Sequence, residues 1–200
     1  LTKALVNVMA YYGKKSKLRE MEACLRELRE LHKKYPEKEV RKRLAAGLYN
    51  AAKGYGEEKD FKNMEACLTE LKELHKRYPE KEVRVNLAAG LYNAAKGYGE
   101  KHEFEKMETC LTELKELHKR YPEKEVRELL TKALVNATAC YGMYGDEKEF
   151  EKMEACLTEL KELHKRYPEK EVRELLTKAL VNVMAYYGKK SKLREMEACL

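Results

Sequence analysis

Apolar residues in this chain recur at alternating steps of three and four positions. Met64, Cys67, Leu68, Leu71, Leu74 and Tyr78 make one such stripe, and Val83, Leu87, Leu91, Ala94, Ala95 and Tyr98 make the next. That spacing lays one apolar face along a helix and leaves the charged residues on the other side. It predicts helices over residues 1–12, 17–34, 37–54, 60–77, 80–97, 103–120, 123–142, 149–166, 169–187 and from 192 onward. Two kinds of connection alternate between them. Tyr78-Pro79 forces a tight reversal, with Pro79 suited to the first helical turn because its missing N–H would be unpaired there, and with Glu80 and Glu82 complementing the positive helix start. Gly97-Tyr98-Gly99-Glu100 offers glycines that can take a left-handed conformation and end the preceding helix.

The prolines set the period. Pro36, Pro79, Pro122 and Pro168 are separated by 43, 43 and 46 residues, each within Tyr-Pro-Glu-Lys-Glu-Val-Arg. Residues 68–84 and 111–127 are identical over seventeen positions, and residues 176–200 reproduce residues 1–25 without a change. The unit is therefore a pair of helices, repeated at approximately 1–35, 36–78, 79–121, 122–167 and 168–200, the last incomplete. One pair buries too little to fold alone, so stability must come from stacking neighbour on neighbour. Ala88, Ala89, Gly90, Ala94 and Ala95 let backbones approach closely. The corresponding Thr131, Lys132, Ala133, Ala137 and Thr138 predict looser packing. The three extra residues fall around Cys140-Tyr141-Gly142-Met143-Tyr144-Gly145. They would rotate a helix by about 300°, so a bulge or an altered loop is expected there.

Reading Leu91-x-x-Ala94-Ala95-x-x-Tyr98, then Phe104, then Leu111 and Leu114, then Pro122, the unit resembles a tetratricopeptide repeat. The likeness runs through Leu5, Leu48, Leu91, Leu134 and Leu180 and so covers nearly the whole chain. The unit is longer than the family's roughly 34 residues. Met107, and Met9 and Met184 in the end units, stand where the family has small residues. Longer helices and a different pitch follow. The resemblance implies an all-α fold, a right-handed superhelical solenoid of stacked antiparallel helix pairs, and a protein- or peptide-binding groove lined by the first helix of each pair.

On a helical wheel with Leu91 at the origin, Asn93 lies at about 200° and Lys96 at about 140°, opposite the buried stripe. Asn7, Asn50, Asn93, Asn136 and Asn182 share this place, so it holds five of the seven asparagines of the chain. Asn is a poor mid-helix residue. Three explanations remain open: the amides meet a ligand, they bond between neighbouring helices, or they were simply copied with the unit. Lys3, Lys53, Lys96, Lys132 and Lys178 add positive charge beside them, with Tyr49 and Tyr92 as neighbours. The implied partner is a protein or an acidic peptide, or a C-terminal carboxylate, held by charge-assisted hydrogen bonds.

Composition narrows the alternatives. The 200 residues carry 42 Lys+Arg against 35 Asp+Glu, and no apolar run approaches the roughly 18 residues of a spanning helix, so no membrane partner is expected. The chain has no Ile, Gln or Trp and only two Asp and two Ser, as copying of one unit would produce. With no signal peptide and no initiator Met, Leu1 reads as the cut end of a longer array. Cys24, Cys67, Cys110, Cys156 and Cys199 repeat on the apolar stripe without a CxxC pair, which reads as buried filler in a reducing, cytoplasmic setting. Cys140, unique to the insertion, is the thiol to test for reactivity.

Catalytic chemistry is not readable. His32, His75, His118 and His164 sit near helix C-termini, where a partly positive ring would favour the dipole, and none has a metal ligand at helical spacing. Ser16 and Ser191 lack a His or acid partner. Gly54-Tyr55-Gly56 follows a helix and not a strand, unlike a phosphate-binding loop. The expectation is a non-enzymatic protein with no cofactor. Single-stranded RNA on a basic surface is a competing reading, disfavoured because Glu is interleaved with Lys and Arg on nearly every turn. A third is an engineered or recently duplicated array without a natural ligand, whose apolar ends associate head to tail.

Overall fold

The structure, a computed structural model, describes residues 1–189. Among them the chain forms α1 (Thr2–Lys14), α2 (Leu18–Lys34), α3 (Lys38–Glu57), α4 (Phe61–Arg77), α5 (Lys81–Glu100), α6 (Phe104–Arg120), α7 (Lys124–Tyr144), α8 (Glu147–Arg166) and α9 (Lys170–Lys189). Each lies within about three residues of its expected bounds, the uncertainty that helix ends carry. The helix expected from 192 onward lies outside the described residues, as does Cys199. The described chain divides into two compact units, Leu1–Gly97 and the part from Tyr98 on. In the first, α1 packs on α2 and α3, α2 on α3, and α3 on α4; in the second, α6 packs on α7, α7 on α8 and α9, and α8 on α9. Successive neighbours therefore stack as helix pairs in each unit. This is the all-α repeat architecture that the periodicity requires.

The periodic positions form the core. Met9, Met21, Leu25, Leu28, Leu48 and Leu71 have no exposed surface in the first unit, nor do Leu114, Leu134 and Leu160 in the second. The Thr-containing helix is not loosened. Thr131 and Thr138 are fully enclosed, 0% and 1% exposed, and their hydroxyls donate to the carbonyls of Arg127 and Leu134, both at 2.8 Å. A hydroxyl satisfied within its own helix can sit in an apolar layer.

Apart from Gly145, which caps the end of α7 in an extended conformation, the glycines do not end the helices. Among the described residues no glycine has a positive φ; the left-handed positions are Ser16 (54°), Lys59 (62°) and His102 (61°). At Ser16 the chain closes as a Schellman turn, with Lys17 N–H on the Tyr12 carbonyl and Ser16 N–H on the Gly13 carbonyl, both at 3.0 Å. Asp60 and Glu103 make the same long bond to Tyr55 and Tyr98, each at 2.9 Å. The glycines instead lie inside helices where neighbours crowd them. A Cβ on Gly99 would come 2.7 Å from Cys140 Sγ and 2.9 Å from Met107 Sδ.

Proline also sits differently. Glu37 caps α3 with an extended backbone, so Pro36 precedes the cap instead of entering the first turn. Its fixed φ shapes the approach, and its carbonyl accepts from the Arg41 guanidinium. The three-residue insertion is taken up at a single connection. α8 begins three residues ahead of the Phe150 that matches Phe61 at the start of α4, and only Gly145 and Asp146 separate it from α7. The Asp146 carboxylate caps α8 by accepting from Lys148 N–H at 2.8 Å. This cap replaces the left-handed turn of the other connections.

Candidate functional site

The recurring asparagines lie on the first helices of the pairs, with unequal surroundings. Asn7 is exposed on α1; Asn50, Asn93, Asn136 and Asn182 are half-buried on α3, α5, α7 and α9. In the first unit Asn50 Nδ2 donates to the Val6 carbonyl of the preceding repeat at 3.3 Å. At this position the amide bonds between neighbouring helices, the second of the three explanations left open by the sequence. One carboxamide oxygen and a second N–H remain on the same group.

The lysines divide similarly. Lys3, Lys96, Lys132 and Lys178 are exposed and Lys53 is half-buried, 3.8 Å from Glu57 on its own helix. Tyr49 and Tyr92 are half-buried on α3 and α5. In the second unit, Lys132 with Asn136 and Lys178 with Asn182 are each spaced by four residues and share a helix face. Beside them a shallow groove of about 190 Å³ runs between α7 and α9, with Asn182, Thr138, Met143 and Tyr186 among its walls. Met143 is 65% exposed. This is an apolar floor with polar groups at its edge, the usual composition of a recognition surface.

The Tyr-Pro-Glu-Lys-Glu-Val-Arg string serves the stack. Arg127, on α7, is 5% exposed. It lies over the Tyr167 ring of the next repeat, 4.1 Å from the centroid, and donates to Glu169 at 2.5 Å. The Arg127 partner holds the Glu169 carboxyl below its ordinary range. Arg41 repeats this on Tyr78, at 4.3 Å, and on Glu80. The strings at Tyr78 and Tyr167 thus supply the aromatic and acid that the previous Arg of the motif engages. A second set runs between the second helices, with Arg29 on Glu70 at 2.9 Å and Lys115 on Glu159 at 2.5 Å. A third uses the helix-end tyrosines: Tyr55, Tyr141 and Tyr187 donate to Glu22, Glu108 and Glu154 at 2.7, 3.0 and 2.7 Å. Burial and the adjoining carboxylates push these tyrosine pKa values up at Tyr55 and Tyr141.

Two of the helix-end histidines, His32 and His118, are disfavoured as positive charges. Burial, with Arg41 and Arg77 nearby, lowers the His32 pKa; burial, with Arg127 and Arg166, lowers that of His118. The neighbouring guanidinium groups are already positive, so a second cation in the same half-dry place is disfavoured. His32 meets the Tyr78 ring edge-on at 6.2 Å. With Arg29, Lys33, Arg77 and Glu70 it lines a cleft of about 410 Å³. The sequence reading passed over this cleft. Its only signal is Arg29, which stands where the later repeats carry Lys72, Lys115 and Lys161.

The thiols are inert in character. Burial pushes Cys67 and Cys156 up to about 12 and raises Cys140, which packs against Gly99. Cys140 therefore lacks the lowered pKa of a reactive cysteine. Among the described residues no group of three His, Cys, Asp or Glu side chains is placed to hold a metal ion, and no helix is long and apolar enough to cross a membrane.

These observations define a class: an all-α helical-repeat protein whose recurrent motifs stitch one helix pair to the next. No protein-family model, curated protein or solved structure matches the chain.

Proposed function

We propose that the chain is a non-catalytic, tetratricopeptide-like scaffold that holds an extended acidic segment of a protein partner along the face of its first helices. The observation that carries this reading is the groove between α7 and α9, with Asn182 in its wall and the exposed Lys132 and Lys178 on the adjoining helix faces. Met143 and Tyr186 offer apolar contact to alternate side chains of an extended chain. The Asn182 amide can both give to and accept from its backbone. The lysines favour carboxylates. The bond from Asn50 to Val6 moves the weight of the reading to the second unit.

The test uses fluorescein-labelled ten-residue peptides, one pool rich in Asp and Glu and one in which these are replaced by Asn and Gln. Binding is read by polarisation against the chain and the Lys132→Glu/Lys178→Glu variant. Preferential binding of the acidic pool, weakened at least tenfold by charge reversal, is expected. Equal binding of both pools, or no change on reversal, overturns the reading. A labelled single-stranded oligonucleotide in the same assay tests the competing one. Its capture in preference to peptides, with affinity falling steeply in salt, would replace the protein partner by nucleic acid.

A further inference from the structure

The cleft of about 410 Å³ in the first unit carries positive charge that its own surroundings do not cancel. The carboxylate in its wall, Glu70, is already held. Arg29 donates to it through Nε at 3.0 Å and pairs with it through Nη2 at 2.9 Å, while Nη1 of the same guanidinium reaches Glu22 at 3.0 Å. This clamp removes Glu70 as a partner for the other cations of the cleft. Lys33 and Arg77 also line it and are exposed. Among the described residues neither of them pairs with a carboxylate.

Cations at a helix C-terminus ordinarily complement the dipole, and α2 and α4 both end at this cleft. Their last turns carry Lys33 and Lys34, and Lys76 and Arg77, with His32 and His75. Each helix end amounts to about half a negative charge, so four full cations exceed what the two ends can use. His32 registers the excess. Burial, and after it Arg41 and Arg77, lower its pKa against an opposing pull from Glu70, and its Nδ1 is enclosed without a hydrogen-bond partner. Arg41 lies 4.3 Å from the centre of the Tyr78 ring and is itself spent on Glu80. The cleft therefore holds two uncommitted cations and an unsatisfied imidazole nitrogen, beside apolar surface from Pro36, Leu44 and Tyr78. The matching place in the second unit is more closed, with His118 only 5% exposed where His32 is half-buried.

We propose that this cleft is an anion site for the dianionic phosphate of a phosphomonoester, held by Lys33, Arg77 and His32. A carboxylate would neutralise one of the two cations. A phosphomonoester brings about 1.5 to 2 negative charges at pH 7 and three acceptor oxygens, which match one to each of the three side chains. The apolar wall receives the group that bears the phosphate. A phosphorylated side chain and a small free ester share this chemistry. None of the residues of the groove between α7 and α9 takes part, so the inference is independent of the peptide-binding reading.

The test titrates the full chain with phenyl phosphate at pH 7 in chloride of matched ionic strength. Histidine ring resonances are followed by NMR, with His32 assigned from His32→Gln. The His32 signal moves saturably, and its pKa rises because the dianion favours the imidazolium. Lys33→Glu/Arg77→Glu weakens binding at His32 at least about tenfold, the size of one lost charge-assisted hydrogen bond. Lys119→Glu/Arg166→Glu makes the same change of net charge in the second unit and leaves that affinity unchanged. Benzoate, with the same ring and a single charge, binds the unaltered chain at least about tenfold more weakly, a comparison that needs no substitution. A decapeptide bearing one phosphotyrosine then separates the two sources. Tighter binding than phenyl phosphate supports a phosphorylated protein segment, and equal or weaker binding supports a small ester. No saturable movement at His32, equal losses from the two charge reversals, or benzoate binding as tightly as phenyl phosphate overturns the proposal.

Discussion

Replacement of Arg127 by Ala measures how much of the repeat's stability lies in the stitch between pairs. The Arg127 side chain is buried, and its guanidinium lies 4.1 Å from the centre of the Tyr167 ring. Truncation removes the Cγ and Cδ methylenes of the stem, worth about 0.8 kcal/mol each when buried. It also removes a partly desolvated cation–π contact of about 1–2 kcal/mol. The ion pair with the half-buried Glu169 is left out of the sum, since its attraction is largely offset by the cost of desolvating the buried guanidinium. The expected loss is therefore about 3 kcal/mol. Arg127→Met keeps the apolar stem and should lose only the cation–π share, about 1–2 kcal/mol. Urea unfolding followed by circular dichroism gives the totals. A double-mutant cycle with Tyr167→Leu isolates the contact, with an expected coupling of about 1 kcal/mol or more. If the coupling is near zero, or if the Met variant loses nothing, the contact is incidental and the motif needs another explanation; equal losses for Ala and Met would remove the contribution assigned to the stem.

Two further predictions concern the core. The His118 pKa is lowered from its ordinary 6.5 by burial and by Arg127 and Arg166, so the unfolded chain binds more protons than the folded one just below that value. Stability is therefore complete above about pH 6.5 and falls as pH drops through and below it; urea midpoints measured from pH 7.5 to 5.5 should decline, and less so in His118→Gln. A pH-independent midpoint would refute the assignment. Gly99→Ala, which improves helix propensity in isolation, should nevertheless destabilise by about 1 kcal/mol, because overpacking outweighs the propensity gain. Its new methyl meets Cys140 Sγ, so Cys140→Ala should restore the midpoint; failure of that rescue means the crowding is relieved elsewhere.

The helices were legible because their signal is redundant: every stripe is written several times over. What was misread has a common physical origin. Gly54, Gly56, Gly97 and Gly99 have the composition of a helix stop, but their use depends on what lies across the interface. Met21 and Met64 press on the first two, Phe61 on the third, and Cys140 and Met107 on the last. A linear sequence does not show which side chain arrives from another helix. The histidines failed for the same reason. Their helix-end position was read correctly, but the guanidinium groups beside His32 and His118 come from other helices. The insertion was placed correctly, and the two-residue connection it produced follows from Asp146, a cap residue that the other connections use only at Asp60.

The same reasoning changes what recurrence means in a repeat protein. A residue repeated in every unit can meet the same neighbours wherever its unit is flanked alike, so it is the natural material of the stack. Arg41 and Arg127, Tyr55 and Tyr141, and Asn50 on the Val6 carbonyl all behave this way. A ligand meets only some units, so its contacts need not recur. On the face of the first helices the positions that change are Tyr92 against Val135, Ala89 against Lys132 and Lys96 against Ala139. Ala139 lines the groove between α7 and α9, and Met143 beside it belongs to the insertion. Under the proposed peptide-binding role, the surface most able to discriminate among partners is therefore the one where the copies differ, around Ala139 and Met143.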